Sequence, residues 1–131
     1  MFLTEPVLYL ESSDFDDHGN IIYNQFLPRN TPVMILLQSN SCVYCNKAKI
    51  DFQRFAEYNR DKIISATIQF DAVADPKFDT LNLNFSNEKV NKIYSNLKGF
   101  PSYILYIDNI KYKYEGNRDF ESLNGFMKNL I

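Results

Sequence analysis

The feature that most constrains this chain is Cys42-Val43-Tyr44-Cys45, which holds its only two cysteines. An apolar run without alternation, Val33-Met34-Ile35-Leu36-Leu37, precedes it, and an amphipathic helical pattern follows. A run of that kind reads as a strand covered on both faces. The helix extends to about Asn59, because Cys45, Ala48, Phe52, Phe55 and Ala56 recur at spacings of three and four, with Lys47, Lys49, Arg54 and Glu57 largely between them. Lys62 to Phe70 then alternates: Ile64, Ala66, Ile68 and Phe70 mark one face, Ser65, Thr67 and Gln69 the other. Two strands joined through a long helix require a crossover, so this stretch is a right-handed parallel βαβ unit.

The remaining elements are shorter. Glu5 to Leu10 reads as a first strand, and one helix is expected within Ser12 to Leu27, its limits blurred by Gly19-Asn20. Asp71 to Asn84 is polar and reads as a long loop. Ser86 to Leu97 is helical in pattern, with Gly99 placed to end it. Ser102 to Ile107 and Ile110 to Glu115 flank Asp108-Asn109, residue types that tolerate the positive φ of a tight hairpin. A closing helix begins near Arg118, with Asn117 or Asp119 at its start, and presents Leu123, Phe126, Met127, Leu130 and Ile131 on one face. The order is β-α-β-α-β-α-β-β-α over residues 1–131, read as one α/β domain with a central mixed sheet flanked by helices.

Composition narrows the function. Apolar residues at 45% and aromatics at 15% suffice for a core. A net charge of −2 supplies no positive field for phosphates, which argues against nucleic acid. No apolar run approaches the ~20 residues that span a bilayer, so no membrane partner is expected. The opening Met-Phe-Leu-Thr-Glu-Pro lacks a basic segment, which predicts a cytoplasmic protein. The weight of Asn, Lys, Ile, Tyr and Phe suggests AT-rich coding, as in some large DNA viruses, where host cytoplasm or virion is the expected location.

The chemistry rests on the cysteine pair. A helix start offers unpaired N–H groups and partial positive charge, which favours a thiolate in its first turn, and a thiol three residues on lies on the same face. Cys42 is therefore the expected nucleophile and Cys45 the resolving thiol. Well-oriented intramolecular groups reach effective molarities of ~10⁵ M or more, so the placement of Cys45 matters more than the activation of Cys42. Zinc would need four ligands, and the lone His18 sits in a distant acidic loop; no metal or cofactor is expected. An iron–sulfur cluster bridging two chains is a minor alternative for the cysteines; Asp14 to Gly19 opens like a calcium loop, but Gln25 stands where a closing Glu would be, so a solvated turn is expected there. Tyr103, Tyr106, Tyr112 and Tyr114 are expected to pack.

The sequence resembles the thioredoxin superfamily, and more closely a protein disulfide isomerase-type thioredoxin domain. Three segments carry the likeness: Val33 to Lys47, Lys98-Gly99-Phe100-Pro101-Ser102-Tyr103, and Tyr112 to Phe120. The resemblance implies a thioredoxin fold and thiol–disulfide exchange on protein substrates, with Pro101 as a cis-proline facing the cysteines and Gly116 beside the same groove. Tyr44, Phe100, Pro101 and Gly116 would then bind substrate. A separate reductase or small thiols would supply electrons to a monomer. Departures are specific: Ser41 stands where the family usually has Trp, Val43-Tyr44 replaces Gly-His or Gly-Pro, and Leu36 aligns with the family's buried acid. With no cation between the sulfurs, a less oxidising potential and a reductant are expected. With Leu36 in place of the acid, resolution by Cys45 is expected to be slow or pH-dependent. The alternatives are a glutaredoxin-like glutathione-dependent reductase, from Tyr44 beside Cys45, and a redox-inactive binding module of the same fold.

Overall fold

The computed structural model describes residues 2–39, 42–70 and 85–131; Ser41 and the loop expected over Asp71 to Asn84 lie outside the described residues. Strands β1 (Leu8–Tyr9), β2 (Val33–Gln38), β3 (Ile64–Gln69), β4 (Ser102–Ile107) and β5 (Ile110–Tyr114) form one sheet in the order β1-β3-β2-β4-β5. β3 runs parallel to both β1 and β2, whereas β4 is antiparallel to β2 and to β5. Helices α1 (Val43–Tyr58), α2 (Asn87–Ile93) and α3 (Phe120–Leu130) complete the order.

The unbroken apolar run of β2 is explained by its position between β3 and β4, with every residue from Val33 to Gln38 buried. Its alternate side chains feed two cores. Met34 and Leu36 meet Phe52 and Phe55 of α1, Tyr103 of β4, and Leu123 and Met127 of α3. Val33, Ile35 and Leu37 meet Ala66, Ile68, Ile93, Ile104 and Tyr106 on the opposite face. Phe52 and Phe55 are both fully buried, and burying a side chain of that size contributes about 1.5–3 kcal/mol, so α1 is held by packing more than by its caps.

Asp119 caps α3 by accepting the Ser122 amide at 3.1 Å, one of the two cap positions read from the pattern. Asp108 and Asn109 have φ of 49° and 62°, the paired positive values of a tight two-residue hairpin turn.

Several expectations are corrected. The first strand is confined to Leu8–Tyr9, preceded by a turn in which the Val7 amide donates to the Thr4 carbonyl at 3.0 Å, and Pro6 offers the sheet no N–H. No α-helix forms within Ser12 to Leu27, only a 3₁₀ turn at Ser12–Asp14 and a bridge between Phe15 and Ile21. Polar side chains there capture backbone donors that a helix would use. Asp16 Oδ1 accepts from the amides of His18 and Asn20, and Asn24 Oδ1 from those of Phe26 and Leu27.

The second helix stops at Ile93 rather than near Leu97, with Tyr94 already extended and Asn96 at φ 59°, so Gly99 does not end it. The alternation read in β3 puts its polar side chains in the interior as well: Ser65, Thr67 and Gln69 are buried, and Thr67 Oγ1 donates to the Leu36 carbonyl at 2.7 Å and accepts from Gln38 Nε2 at 2.7 Å. Lys49, grouped by pattern with the charged residues of α1, is also buried, at 1% exposure.

Candidate functional site

Cys42 occupies the N-cap of α1, and its Sγ accepts the amide N–H of Cys45 at 3.1 Å. The same sulfur lies 3.4 Å from the Phe100 carbonyl oxygen, to which its thiol donates. Those two contacts fix the sulfur between a helix end and the loop entering β4. The peptide joining Phe100 to Pro101 is cis. Cys42 is half-buried and Cys45 wholly buried; both are thiols. The first is thus within reach of a partner molecule, whereas the second faces only the interior.

The electrostatics differ accordingly. Burial pushes the Cys45 thiol up to about 12; a hydrogen bond with Cys42 and its proximity add to this, while the Ser39 backbone and the positive charge of Lys49 act in the opposite direction. Burial likewise raises the Tyr103 hydroxyl, against the opposing charge of Arg118. Tyr103 therefore keeps its proton at any physiological pH.

Pro101 and Gly116 share a pocket of about 180 Å³, walled also by Tyr94, Lys98, Tyr114 and Arg118. A side chain at Gly116 would not fit as the structure stands: its Cβ would lie 2.6 Å from Tyr114 Oη, which donates to the Asn117 carbonyl. Tyr44 is 64% exposed, with the Arg118 guanidinium 5.9 Å from its ring centre. Phe100 contributes its carbonyl rather than its ring, which packs against Phe70 at 4.9 Å between centroids.

Of the sequence-predicted residues, the structure joins Cys42 to the Phe100 carbonyl and places Pro101 with Gly116 in one pocket, whereas Tyr44 is linked to that pocket's wall only through Arg118. Lys49, Tyr103 and Arg118 were not among them. Lys49 follows Cys45 by four residues in the stripe that includes Ala48 and Phe52, and that spacing was the available signal. Leu36, at the position of the family's acid, is wholly buried and pairs in register with Tyr103. Among the described residues no cluster of His, Cys, Asp and Glu could hold a metal ion, and no helix is long and apolar enough to cross a membrane.

A parallel βαβ unit followed by an antiparallel hairpin, with a Cys-x-x-Cys at the mouth of the first long helix opposite a cis-proline, defines a thioredoxin-fold protein. Solved structures agree on the fold. A fragment of ERdj5 superimposes with a TM-score of 0.63 at 17% identity, over 94% of this chain and 50% of that one. Human ERp44 does so with 0.64 at 11% identity, over 98% of this chain and 30% of that one. The germline thioredoxin Deadhead from Drosophila melanogaster gives 0.55 at 14% identity, over 78% and 83%. The chain thus spans half or less of the ERdj5 and ERp44 chains. No protein-family model matches it. A thioredoxin-like protein, 453L, of Invertebrate iridescent virus 6 is 30% identical over 96% of this chain and 95% of its own length. The chain belongs to the thioredoxin-like proteins of the thioredoxin superfamily.

Proposed function

We propose that this protein is a thiol–disulfide oxidoreductase acting on protein disulfides. The observation that carries the reading is the setting of Cys42 Sγ, which receives the Cys45 amide at 3.1 Å and faces the Phe100 carbonyl at 3.4 Å. These contacts hold the half-buried sulfur at the helix start, where a substrate disulfide can reach it. The Cys42 thiolate attacks one sulfur of a substrate disulfide, forming a mixed disulfide and releasing the other substrate sulfur as thiolate. Cys45, as thiolate, then attacks Cys42 Sγ; the Cys42–Cys45 bond forms, the second substrate thiolate leaves, and two electrons have passed to the substrate. A reductase or small thiols return the dithiol form.

An extended substrate strand lies along the backbone of Phe100 and Pro101, with side chains reaching the pocket at Gly116 and the ring of Tyr44. No metal or organic cofactor takes part in this exchange. With Val43-Tyr44 between the cysteines and no cation there, the pair works as a reductant. We place it in a reducing compartment, the host cytoplasm or the virion, on the strength of its composition and its viral relative.

Insulin reduction driven by dithiothreitol tests the reading. The rate should exceed that of a Cys42→Ser variant, and Cys45→Ala should accumulate mixed disulfides with protein substrates. A rate equal to that of Cys42→Ser would leave a binding module, and efficient recycling by glutathione alone would make the protein glutaredoxin-like.

A further inference from the structure

Resolution demands a thiolate from Cys45, which the fold has sealed from water. Leu36, which the resemblance aligns with the family's buried acid, cannot take a proton or supply charge, so whatever assists must come from elsewhere. Two buried polar side chains are candidates. Lys49 stands one helical turn beyond Cys45 on the inner face of α1, a spacing that brings Cβ atoms to about 5–6 Å. It is 1% exposed, so water screens its charge little. Tyr103 is the register partner of Leu36 across β2 and β4, is 2% exposed, and its hydroxyl has no hydrogen-bond partner among the described residues. A hydroxyl buried without a partner is costly, and such a group in a native fold calls for a use.

We propose that Lys49 and Tyr103 form the seat of the Cys45 thiolate: Lys49 supplies the positive charge and Tyr103 the hydroxyl donor that stabilise it during resolution. Both are positioning residues, since neither touches the substrate, and the proposal rests on the exchange reaction argued above. The proton lost by Cys45 is balanced by the one that the departing substrate thiolate takes up, and Lys49 acts as a fixed charge rather than as a proton carrier. The positive charge of Lys49 acts on Cys45 in the direction required, and a negative charge on Cys45 in turn holds the Tyr103 hydroxyl in its protonated, donating form. The other titratable groups that act on Cys45 and Tyr103, among the described residues, are Cys42 and Asp51 on α1, Tyr114 on β5 and Arg118 before α3. Leu36 of β2 and Thr67 and Gln69 of β3 add no charge.

Stopped-flow reaction with 5,5′-dithiobis(2-nitrobenzoate) separates the steps. Attack by Cys42 releases one thionitrobenzoate, and attack by Cys45 on the resulting mixed disulfide releases a second. A tenfold loss of Cys45 thiolate in Lys49→Met, partly offset by the greater nucleophilicity of what remains, gives a net slowing of roughly three- to fourfold at pH 7. The second phase alone should slow, its pH midpoint should move up, and Lys49→Arg should restore both. Tyr103→Phe, which keeps the ring packing, should slow the same phase with an upward shift. A second phase unchanged from pH 6 to 10 in both variants overturns the proposal, as does equal slowing of both phases. If instead the unmodified protein releases only one thionitrobenzoate, or none, the exchange reading itself fails.

Discussion

Asn59 and Asn124, both buried and 65 positions apart, share a hydrogen bond of 3.0 Å from Nδ2 to Oδ1 that ties the end of α1 to α3. Asn59 Nδ2 also donates to the Phe55 carbonyl at 2.9 Å, closing the last turn of the helix that carries the cysteines. Replacing Asn124 with Ala removes an acceptor from a buried amide and leaves a gap. The expected loss is about 1–3 kcal/mol. Thermal unfolding should register a drop of several degrees; an unchanged midpoint would show that the bond is not a net stabiliser.

Alkaline stability should carry the mark of Cys45. Its thiol is pushed up to about 12 in the folded chain by burial, above the ~8.5 of a free thiol. A raised value means that the native state holds a proton the unfolded state releases, so the contribution is complete below about pH 8.5 and declines as pH rises through the interval toward 12. Denaturant midpoints of the reduced protein at pH 7, 9 and 10.5 should fall more steeply than those of Cys45→Ala. Parallel curves would remove the assignment.

The hairpin turn separates backbone fit from side-chain bonding. Both of its central residues have positive φ, which glycine adopts without penalty. Asp108→Gly sacrifices only an exposed ion pair with Arg29 at 3.2 Å, so stability should hold or rise by up to about 1 kcal/mol. Asn109→Gly removes both hydrogen bonds to the backbone of Ile21, at 2.9 and 3.3 Å, and should cost about 1–2 kcal/mol. Chemical denaturation of the two variants should therefore give opposite displacements; equal effects would contradict the role given to Asn109.

Gly116→Ala tests the groove. Its Cβ must displace Tyr114 Oη, 2.6 Å away, from the Asn117 carbonyl and intrude on the pocket beside Pro101. Insulin reduction should show a raised KM with kcat little changed, while the first phase with the small aromatic disulfide is unaffected. A loss in both would place the damage at Cys42 instead of the docking surface.

Burial on two faces made β2 readable, since Val33 to Leu37 admits few other environments. The cysteine pair and Pro101 were legible because their spacing in sequence translates directly into the start of α1 and the entry to β4. Ser12 to Leu27 was not, because Asp16 and Asn24 decide its path through bonds to particular amides, and a periodicity argument does not register those. Lys49 escaped for a different reason. Hydrophobic patterning sorts lysine outward, so its spacing of four from Cys45 was outweighed until the structure showed it buried.

The stretch that replaces the expected helix has a further consequence. Tyr106 Oη reaches the Gly19 carbonyl at 2.7 Å, Asn109 holds Ile21, and a side chain at Gly19 would collide with the backbone of Lys92 at 2.5 Å. A handful of anchoring points thus secures this covering, leaving outward positions such as Asp17, Gln25 and Phe26 unconstrained by the interior. Here the scaffold offers room for sequence drift or grafted epitopes without disturbing the two sulfurs.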